Sequence, residues 1–353
     1  MNELTLSTWR KKTYRVVQWA TGNIGTRALR MVIEHPRLEL VGLHVHSDSK
    51  AGKDAGELAG VAPVGVKASR DIESILALKP DCVLYMPQGC NMDEVCRLLE
   101  TGINIVTTRG EFHNPAMMEP AARARVEEAC RKGNASIHST GSSPGFITEA
   151  MPIVLTSIAR RLDCLTIDEF ADVSSRDSPD MLFNIMGFNA ERAPFDERRL
   201  GYVVDSFAPS LSLIADALGL PFDKIEAKGE QAYARRSVRI AAGVIDEGRL
   251  AATRITVAGM RGGKPLMRFR ANWFVTPDID QDWKLRETGW RVLVEGDTPL
   301  DMSITFPIPP EKMAATTPGL TAHRPVNAVP YVCEAAAGIR TTVDLPQIIA
   351  ELG

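Results

Sequence analysis

The chain has 353 residues, 44% of them hydrophobic and 24% charged, with a formal net charge of −3. This is the composition of a globular protein large enough for two domains, and it excludes a disordered polymer. With 41 basic against 44 acidic residues, no apolar run near the ~20 residues of a membrane helix, and no basic-then-apolar leader in Met1–Trp9, we expect a cytoplasmic protein with no nucleic-acid or membrane partner.

The first strand, 14–19, ends in Trp19-Ala20-Thr21-Gly22-Asn23-Ile24-Gly25, and a helix opens behind it with Thr26-Arg27-Ala28-Leu29. A glycine turn between a strand and a helix suits a pyrophosphate. Glycines admit the anion to the backbone, and unpaired N–H groups at the helix start face it. The candidate ligands are Thr21, Gly22, Asn23, Ile24 and Gly25. The pattern departs from G-x-G-x-x-G at Ala20, where a glycine would stand.

Ile24, Ala28 and Val32 share a face of this helix, which stops before His35-Pro36. Further strands are expected at 38–45, 82–86, 103–107 and 135–139. Helices are expected at about 70–78, from Asn91 to Gly102, and from Pro120 to Lys132. The β-α-β rhythm implies a doubly wound parallel sheet of Rossmann type, with ligands at the carboxyl ends of its strands.

The second strand exits through His44-Val45-His46-Ser47-Asp48-Ser49-Lys50. An acid here selects NAD by accepting from the adenosine ribose, whereas cations and hydroxyls suit a 2′-phosphate. His46, Ser47 and Lys50 favour NADP and Asp48 argues for NAD; the reading leans to NADP, with NAD as the alternative. Thr107-Thr108-Arg109-Gly110-Glu111 follows the fourth of these strands, where the topology brings the loop beside a nicotinamide. Thr107 and Thr108 are candidate cofactor contacts. Glu111 is the candidate catalytic residue, an acid able to hold an ammonium or shuttle a proton, with His113 a weaker candidate.

Thr140-Gly141-Ser142-Ser143-Pro144-Gly145-Phe146 joins the two expected domains. Pro144 is a candidate cofactor contact, and Phe146, Phe170 and Phe188 are candidates to line the substrate pocket. Beyond it we expect a helix from Ile147 to Arg160, a strand over Cys164–Phe170, and antiparallel hairpins at 250–260/266–275 and 290–295/302–306, the first turning at Gly262-Gly263. A last helix over 322–338, with Val326, Val329, Val332 and Ala336 on one face, is expected to return to the first domain. The expected division is 1–148 with 320–353 for the dinucleotide, and 149–319 for substrate and subunit contact in an α+β domain with a largely antiparallel open sheet. The six scattered cysteines form no C-x-x-C, so free thiols and no metal site are expected.

These residues together resemble the dihydrodipicolinate reductase-like superfamily, to which the glycine turn, Thr107-Thr108 and the segment Gly52-Lys53-Asp54-Ala55-Gly56-Glu57-Leu58-Ala59-Gly60 are similar. The reductase's His-His-x-x-Lys motif is absent; the corresponding stretch reads Asp172-Val173-Ser174-Ser175-Arg176-Asp177. Ala20-Thr21-Gly22-Asn23-Ile24-Gly25, Thr107 to Glu111 and Pro144-Gly145-Phe146 resemble more closely the native amine dehydrogenases and 2,4-diaminopentanoate dehydrogenase of the same superfamily. That resemblance implies NAD(P)H-dependent reductive amination of a small ketone or aldehyde with ammonium, and its reverse, with Glu111 handling the amine. A free amino acid would also need a cation for its carboxylate, for which Arg109, Arg176 and Arg192 are the candidates. The alternatives are a diamino acid dehydrogenase, a sugar or inositol dehydrogenase of similar design, and a non-catalytic NAD(P) sensor. A homodimer is expected.

Overall fold

The computed structural model describes residues 12–352; the leader reading on Met1–Trp9 falls outside them. The chain divides into two units. The first runs to Gly145 and resumes at Pro318, and the second is Phe146–Thr317.

The first unit opens with β1 (Tyr14–Trp19), α1 (Asn23–Glu34) and β2 (Leu38–His44). There follow α2 (Ala55–Ala59), β3 (Ala68–Ser69), α3 (Ile72–Ala77), β4 (Cys82–Tyr85), α4 (Met92–Glu100), β5 (Asn104–Thr107), α5 (Pro120–Gly133) and β6 (Ser136–Ser139). The helices start where short polar side chains cap them. Asp71 accepts from Glu73 and Ser74 N–H, Asn91 from Asp93 and Glu94, and Glu119 from Ala121 and Ala122. Asn134 ends α5 in the left-handed region at φ 49°. The segment Gly52–Gly60, prominent in the sequence, is structural: the Asp54 carboxylate accepts from the N–H groups of Gly56, Val64 and Gly65 and so closes the loop.

In the second unit a kinked turn of helix ends in α6 (Met151–Thr156), shorter than the helix expected to Arg160. Next come β7 (Leu162–Asp172), α7 (Arg198–Ala217), β8 (Lys224–Tyr233), a small antiparallel pair β9 (Val238–Ile240) and β10 (Gly243–Ile245), β11 (Leu250–Arg261), β12 (Lys264–Phe274), β13 (Gly289–Gly296) and β14 (Leu300–Thr305). The main sheet has the order β14-β13-β7-β12-β11-β8. Its neighbours are antiparallel except for β7 and β12, which run parallel. Those two strands are far apart in sequence, so no tight turn dictates their relative direction. The apolar residues of β11 and β12 alternate, and α7 covers that face; Phe207 stacks on Phe269 with ring centroids 3.6 Å apart.

α8 (Pro310–Cys333) and β15 (Gly338–Arg340) complete the chain. The helix begins earlier than the expected 322, running through Pro318, whose missing N–H interrupts the helical pattern, as well as through Pro325 and Pro330, and it ends at Cys333, before the expected 338. Its stretch Ala322–Val332 packs on Tyr14, Val16, Ala28, Val32, Cys82, Leu84 and Val106. The first unit's sheet has the order β15-β6-β5-β4-β1-β2-β3, and every pair is parallel. Its strands are buried nearly throughout, as expected of a sheet with helices on both faces.

The Phe207–Phe269 stack is a direct test of the second unit's core. Phe269 is fully buried, and truncation of a buried phenylalanine costs about 3–5 kcal/mol. Phe269→Ala is expected to lower the unfolding midpoint of this unit in a denaturant titration, with the first unit's transition unmoved.

Candidate active site

One line of residues crosses the parallel sheet. Ser69 pairs with His44, His44 with Trp19, Trp19 with Tyr85, Tyr85 with Thr107, and Thr107 with Ser139. Beyond this line every strand gives way to a loop on the carboxyl edge, where parallel α/β sheets bind ligands.

Ala20 leaves β1 at φ 72°, the left-handed conformation that glycine adopts without strain. Its geometry is fixed from below. The buried Gln18 side chain donates from Nε2 to the carbonyls of Ala20 (2.9 Å) and Trp19 (3.2 Å), and the Ala20 N–H reaches the His44 carbonyl at 2.8 Å. Gly25 is obligatory, since a Cβ there would lie 2.2 Å from the Ala20 carbonyl oxygen. Gly22 is the N-cap of α1. It brings no side-chain cap, no acid follows in the first turn, and a Cβ built on it meets nothing within 4 Å. The first N–H groups of α1, from Asn23 to Gly25, lack intrahelical acceptors by geometry. An uncapped helix start with open space before it fits the pyrophosphate of a dinucleotide.

Lys50 closes the turn from outside: its ammonium donates to the Thr21 carbonyl (2.8 Å) and hydroxyl (3.1 Å). Arg27 is anchored one turn into α1, on Asn23 Oδ1 (2.6 Å) and carbonyl (2.9 Å). His44 is buried and stacks on Trp19 at 3.7 Å. Burial, reinforced by His46, pushes its imidazole down to about 4. His46 is exposed, and the Ser47 and Ser49 hydroxyls bond each other at 2.6 Å. Asp48 makes an ion pair with Arg70, a residue that sequence reading passed over because β3, which delivers it, has two residues.

Thr107 is fully buried. Its hydroxyl donates to the Tyr85 carbonyl at 2.6 Å and accepts from the Arg109 N–H at 3.1 Å, which fixes the start of the next loop. Thr108 is half-buried. Gly110–Phe112 forms a single 3-10 turn anchored by the fully buried Phe112. Glu111, with its side chain 35% exposed, accepts from Arg109 Nη2 at 2.8 Å through Oε1. Arg109 is itself held by the Gln88 carbonyl, and its own carbonyl takes the Ser139 hydroxyl at 2.6 Å. Glu111 Oε2 is shielded from solvent and has no hydrogen-bond partner among the described residues. Nearby Cys90 is held as a neutral thiol, pushed up to about 12 by burial and then by Glu111. His113 is buried.

Pro144 follows a cis peptide bond, and Gly145 stands at φ 117°; a Cβ there would come within 2.8 Å of the Thr140 hydroxyl. That hydroxyl accepts from Arg324 Nε at 2.9 Å, and Ser142 bonds Thr321 at 2.7 Å, so α8 braces this loop within the first unit. In the second unit Phe146 is half-buried. Phe170 and Phe188 sit inside a hydrophobic cluster with Val173, Leu182, Tyr233 and Phe274. Of the arginines considered for a substrate carboxylate, Arg109 is committed to Glu111, and Arg192 to Asp280 and the Tyr233 ring. Arg176 reaches the Met181 sulfur at 3.6 Å. Among the described residues no group of three or more His, Cys, Asp or Glu is arranged to hold a metal, and no helix is long and apolar enough to cross a membrane.

The edge, the turn and the likenesses that follow define an NAD(P)-dependent oxidoreductase. Residues 146–353, more than half of the chain, match the 2,4-diaminopentanoate dehydrogenase C-terminal domain, and the chain belongs to that family. Residues 16–113 match the dihydrodipicolinate reductase N-terminus. An amine dehydrogenase of Streptomyces virginiae is 27% identical over 344 residues, covering 94% of this chain and 95% of its own length. A 4-hydroxy-tetrahydrodipicolinate reductase of Anaeromyxobacter dehalogenans is 32% identical over 118 residues, 33% of this chain and 42% of that protein. The structure of an amine dehydrogenase from Mycobacterium smegmatis has the same fold, with a TM-score of 0.75 at 21% identity over 97% of this chain and 98% of that one.

Two kinds of outcome test this geometry, the first at the glycine turn. Gly25→Ala is expected to weaken NADPH binding at least about tenfold, read from the change in cofactor fluorescence. Ala20→Gly should retain binding and raise stability by about 1 kcal/mol, the order of cost of a left-handed alanine. The second outcome concerns pH. Below 6.5 the unfolded chain protonates the His44 imidazole, whereas the folded form stays neutral down to about 4. Its contribution to stability is therefore lost as pH falls through that window and is flat above it. His44→Phe, which keeps a ring on Trp19, should flatten that part of the stability–pH curve.

Proposed function

We propose that the protein is an amine dehydrogenase that uses NADPH in preference to NADH, reductively aminates small ketones or aldehydes with ammonia, and runs the reverse oxidative deamination. The observation that carries this reading is the Glu111 carboxyl: one oxygen is fixed by Arg109 and the other is shielded, with no donor to it among the described residues. A buried acceptor of that kind is costly to leave unpaired, and an ammonium or a substrate N–H satisfies it.

A nicotinamide dinucleotide held at Thr21 to Gly25 would supply the hydride or, in reverse, accept it. Glu111 Oε2 holds the ammonium and takes a proton from it as nitrogen adds to the carbonyl carbon. The same oxygen returns a proton to the hydroxyl that departs as water. Arg109, braced by Gln88 and Ser139, keeps the carboxyl from swinging away. Thr21 to Gly25 bind the pyrophosphate, while His46 and Ser47 face the 2′-phosphate side with Lys50 behind them. Thr107 acts by positioning the loop rather than by offering its hydroxyl.

The description of the family favours one second reading, a diamino acid dehydrogenase. It requires a cation for the α-carboxylate, and the commitments of Arg109 and Arg192 favour a substrate without one. A homodimer formed through the polar face of the six-stranded sheet is part of the proposal.

NADPH oxidation with a small ketone or aldehyde is expected only when ammonium is also present. Equal rates without ammonium would make the protein a carbonyl reductase and overturn the reading, and turnover confined to diamino acids would establish the second one. Glu111→Gln should keep dinucleotide binding and lose about 10²–10⁴-fold in turnover, the range contributed by a positioned acid or base; an unimpaired variant would remove Glu111 from the chemistry.

A further inference from the structure

The end of β2 holds an ion pair that the proposed reaction does not use. Arg70 and Asp48 meet across the loops that leave β3 and β2. Their side chains are 49% and 87% exposed, so the pair stabilises the fold little. The backbone on each side is nevertheless pinned. Val45 N–H bonds the Ser69 carbonyl at 2.9 Å, Gly52 N–H bonds the Ala68 carbonyl at 2.8 Å, and His44 Nε2 meets the Arg70 carbonyl at 3.3 Å. Directly after Arg70, the Asp71 carboxylate caps α3. On the other side, Lys50 and Ala51 N–H groups close a turn onto the Ser47 carbonyl at 3.1 and 3.2 Å, with the Ser47 and Ser49 hydroxyls joined above it. Two opposite charges thus stand on fixed backbone with exposed side chains, at the place where the second strand of a dinucleotide fold meets the adenosine ribose.

We propose that Arg70 is the residue that recognises the 2′-phosphate of NADP(H), and that Asp48 is its internal competitor and the acceptor for the ribose hydroxyls of NAD(H). This rests on reading the glycine turn as a dinucleotide site. The chemistry is an exchange of partners. A phosphate offers the guanidinium more acceptor oxygens and more charge than a carboxylate does, and matches its fork bidentately. The 2′-phosphate therefore displaces Asp48 from Arg70, and the paired serine hydroxyls lie beside the released acid. With NAD(H) there is no 2′-phosphate; Asp48 turns to the ribose diol and gives up Arg70 instead. Either cofactor opens the same pair, so one loop accepts both, and the balance between Arg70 and Asp48 sets the preference. Lys50, already engaged by Thr21, is a brace for the turn in this account rather than the selector.

Dissociation constants for NADPH and NADH, from fluorescence titration of the intact protein, test it without turnover. In Arg70→Ala the ratio of the NADPH constant to the NADH constant should rise about 10- to 100-fold, the range for loss of a charge-assisted pair, with Arg70→Lys in between. In Asp48→Asn the ratio should fall, because NADPH no longer competes with the acid and NADH loses its acceptor. A ratio unmoved in both variants overturns the assignment while leaving the dinucleotide site intact, as does an equal loss of both cofactors in Arg70→Ala. Wild-type protein that binds neither dinucleotide overturns the assignment together with the reading of the glycine turn.

Discussion

The site depends on the parallel register of the first unit's sheet. Because Ser69, His44, Trp19, Tyr85, Thr107 and Ser139 pair in one line, the glycine turn, the loop after β2, the Glu111 loop and the Thr140–Gly145 loop all leave from the same edge. No side chain arranges this; strand direction and register do. A slip of one residue in any pair would turn that strand's side chains to the opposite face. The aromatic stack of Trp19 and His44, with Tyr85 5.8 Å away, fills the middle of the line and makes such a slip costly. At this edge His44 and Thr107 are still buried, whereas His46, two positions after His44, is exposed and Thr108 is half-buried.

The glycine turn shows how a motif survives the loss of one of its letters. The backbone at Ala20 keeps the left-handed conformation of the missing glycine, and the Gln18 amide and the N–H bond to His44 hold it there. Gly25, by contrast, has no substitute, because the Ala20 carbonyl occupies the space a side chain would need. Position 20 is therefore a question of conformational cost and position 25 one of sterics, and the cost is the term that neighbouring hydrogen bonds offset.

Much of this was legible before the structure. Apolar runs bounded by caps and glycines gave β1, β2, β4, β5 and β6 within a residue or two, and Gly262-Gly263 gave the hairpin of β11 and β12. What escaped has identifiable causes. β3 is two residues long and has no periodicity to detect, so Arg70 behind it was invisible as a partner of Asp48. α8 extends upstream through Pro318, whose missing N–H interrupts the pattern there, whereas its buried face from Ala322 onward follows the helical period. The parallel pairing of β7 with β12 is a long-range choice that local pattern does not encode. At the candidate site the sequence pointed to Glu111 as a candidate by its place after a strand, but the ion pair with Arg109, two residues away, and the shielded second oxygen required coordinates. Phe170 and Phe188 illustrate the converse: an aromatic residue has the same sequence signature whether it lines a cavity or, as in this fold, packs among Val173, Leu182 and Phe274.

Arg109 gives Glu111 an orientation and leaves its second oxygen shielded without a hydrogen-bond partner among the described residues, the feature on which the proposed amine site rests. The most direct measurement is a crystal structure of the protein with NADP and a small aliphatic amine. The account requires the amine nitrogen at hydrogen-bond distance, about 2.7–3.2 Å, from Glu111 Oε2, with Oε1 still on Arg109. An amine bound elsewhere, with Oε2 facing water or a protein group, would contradict it.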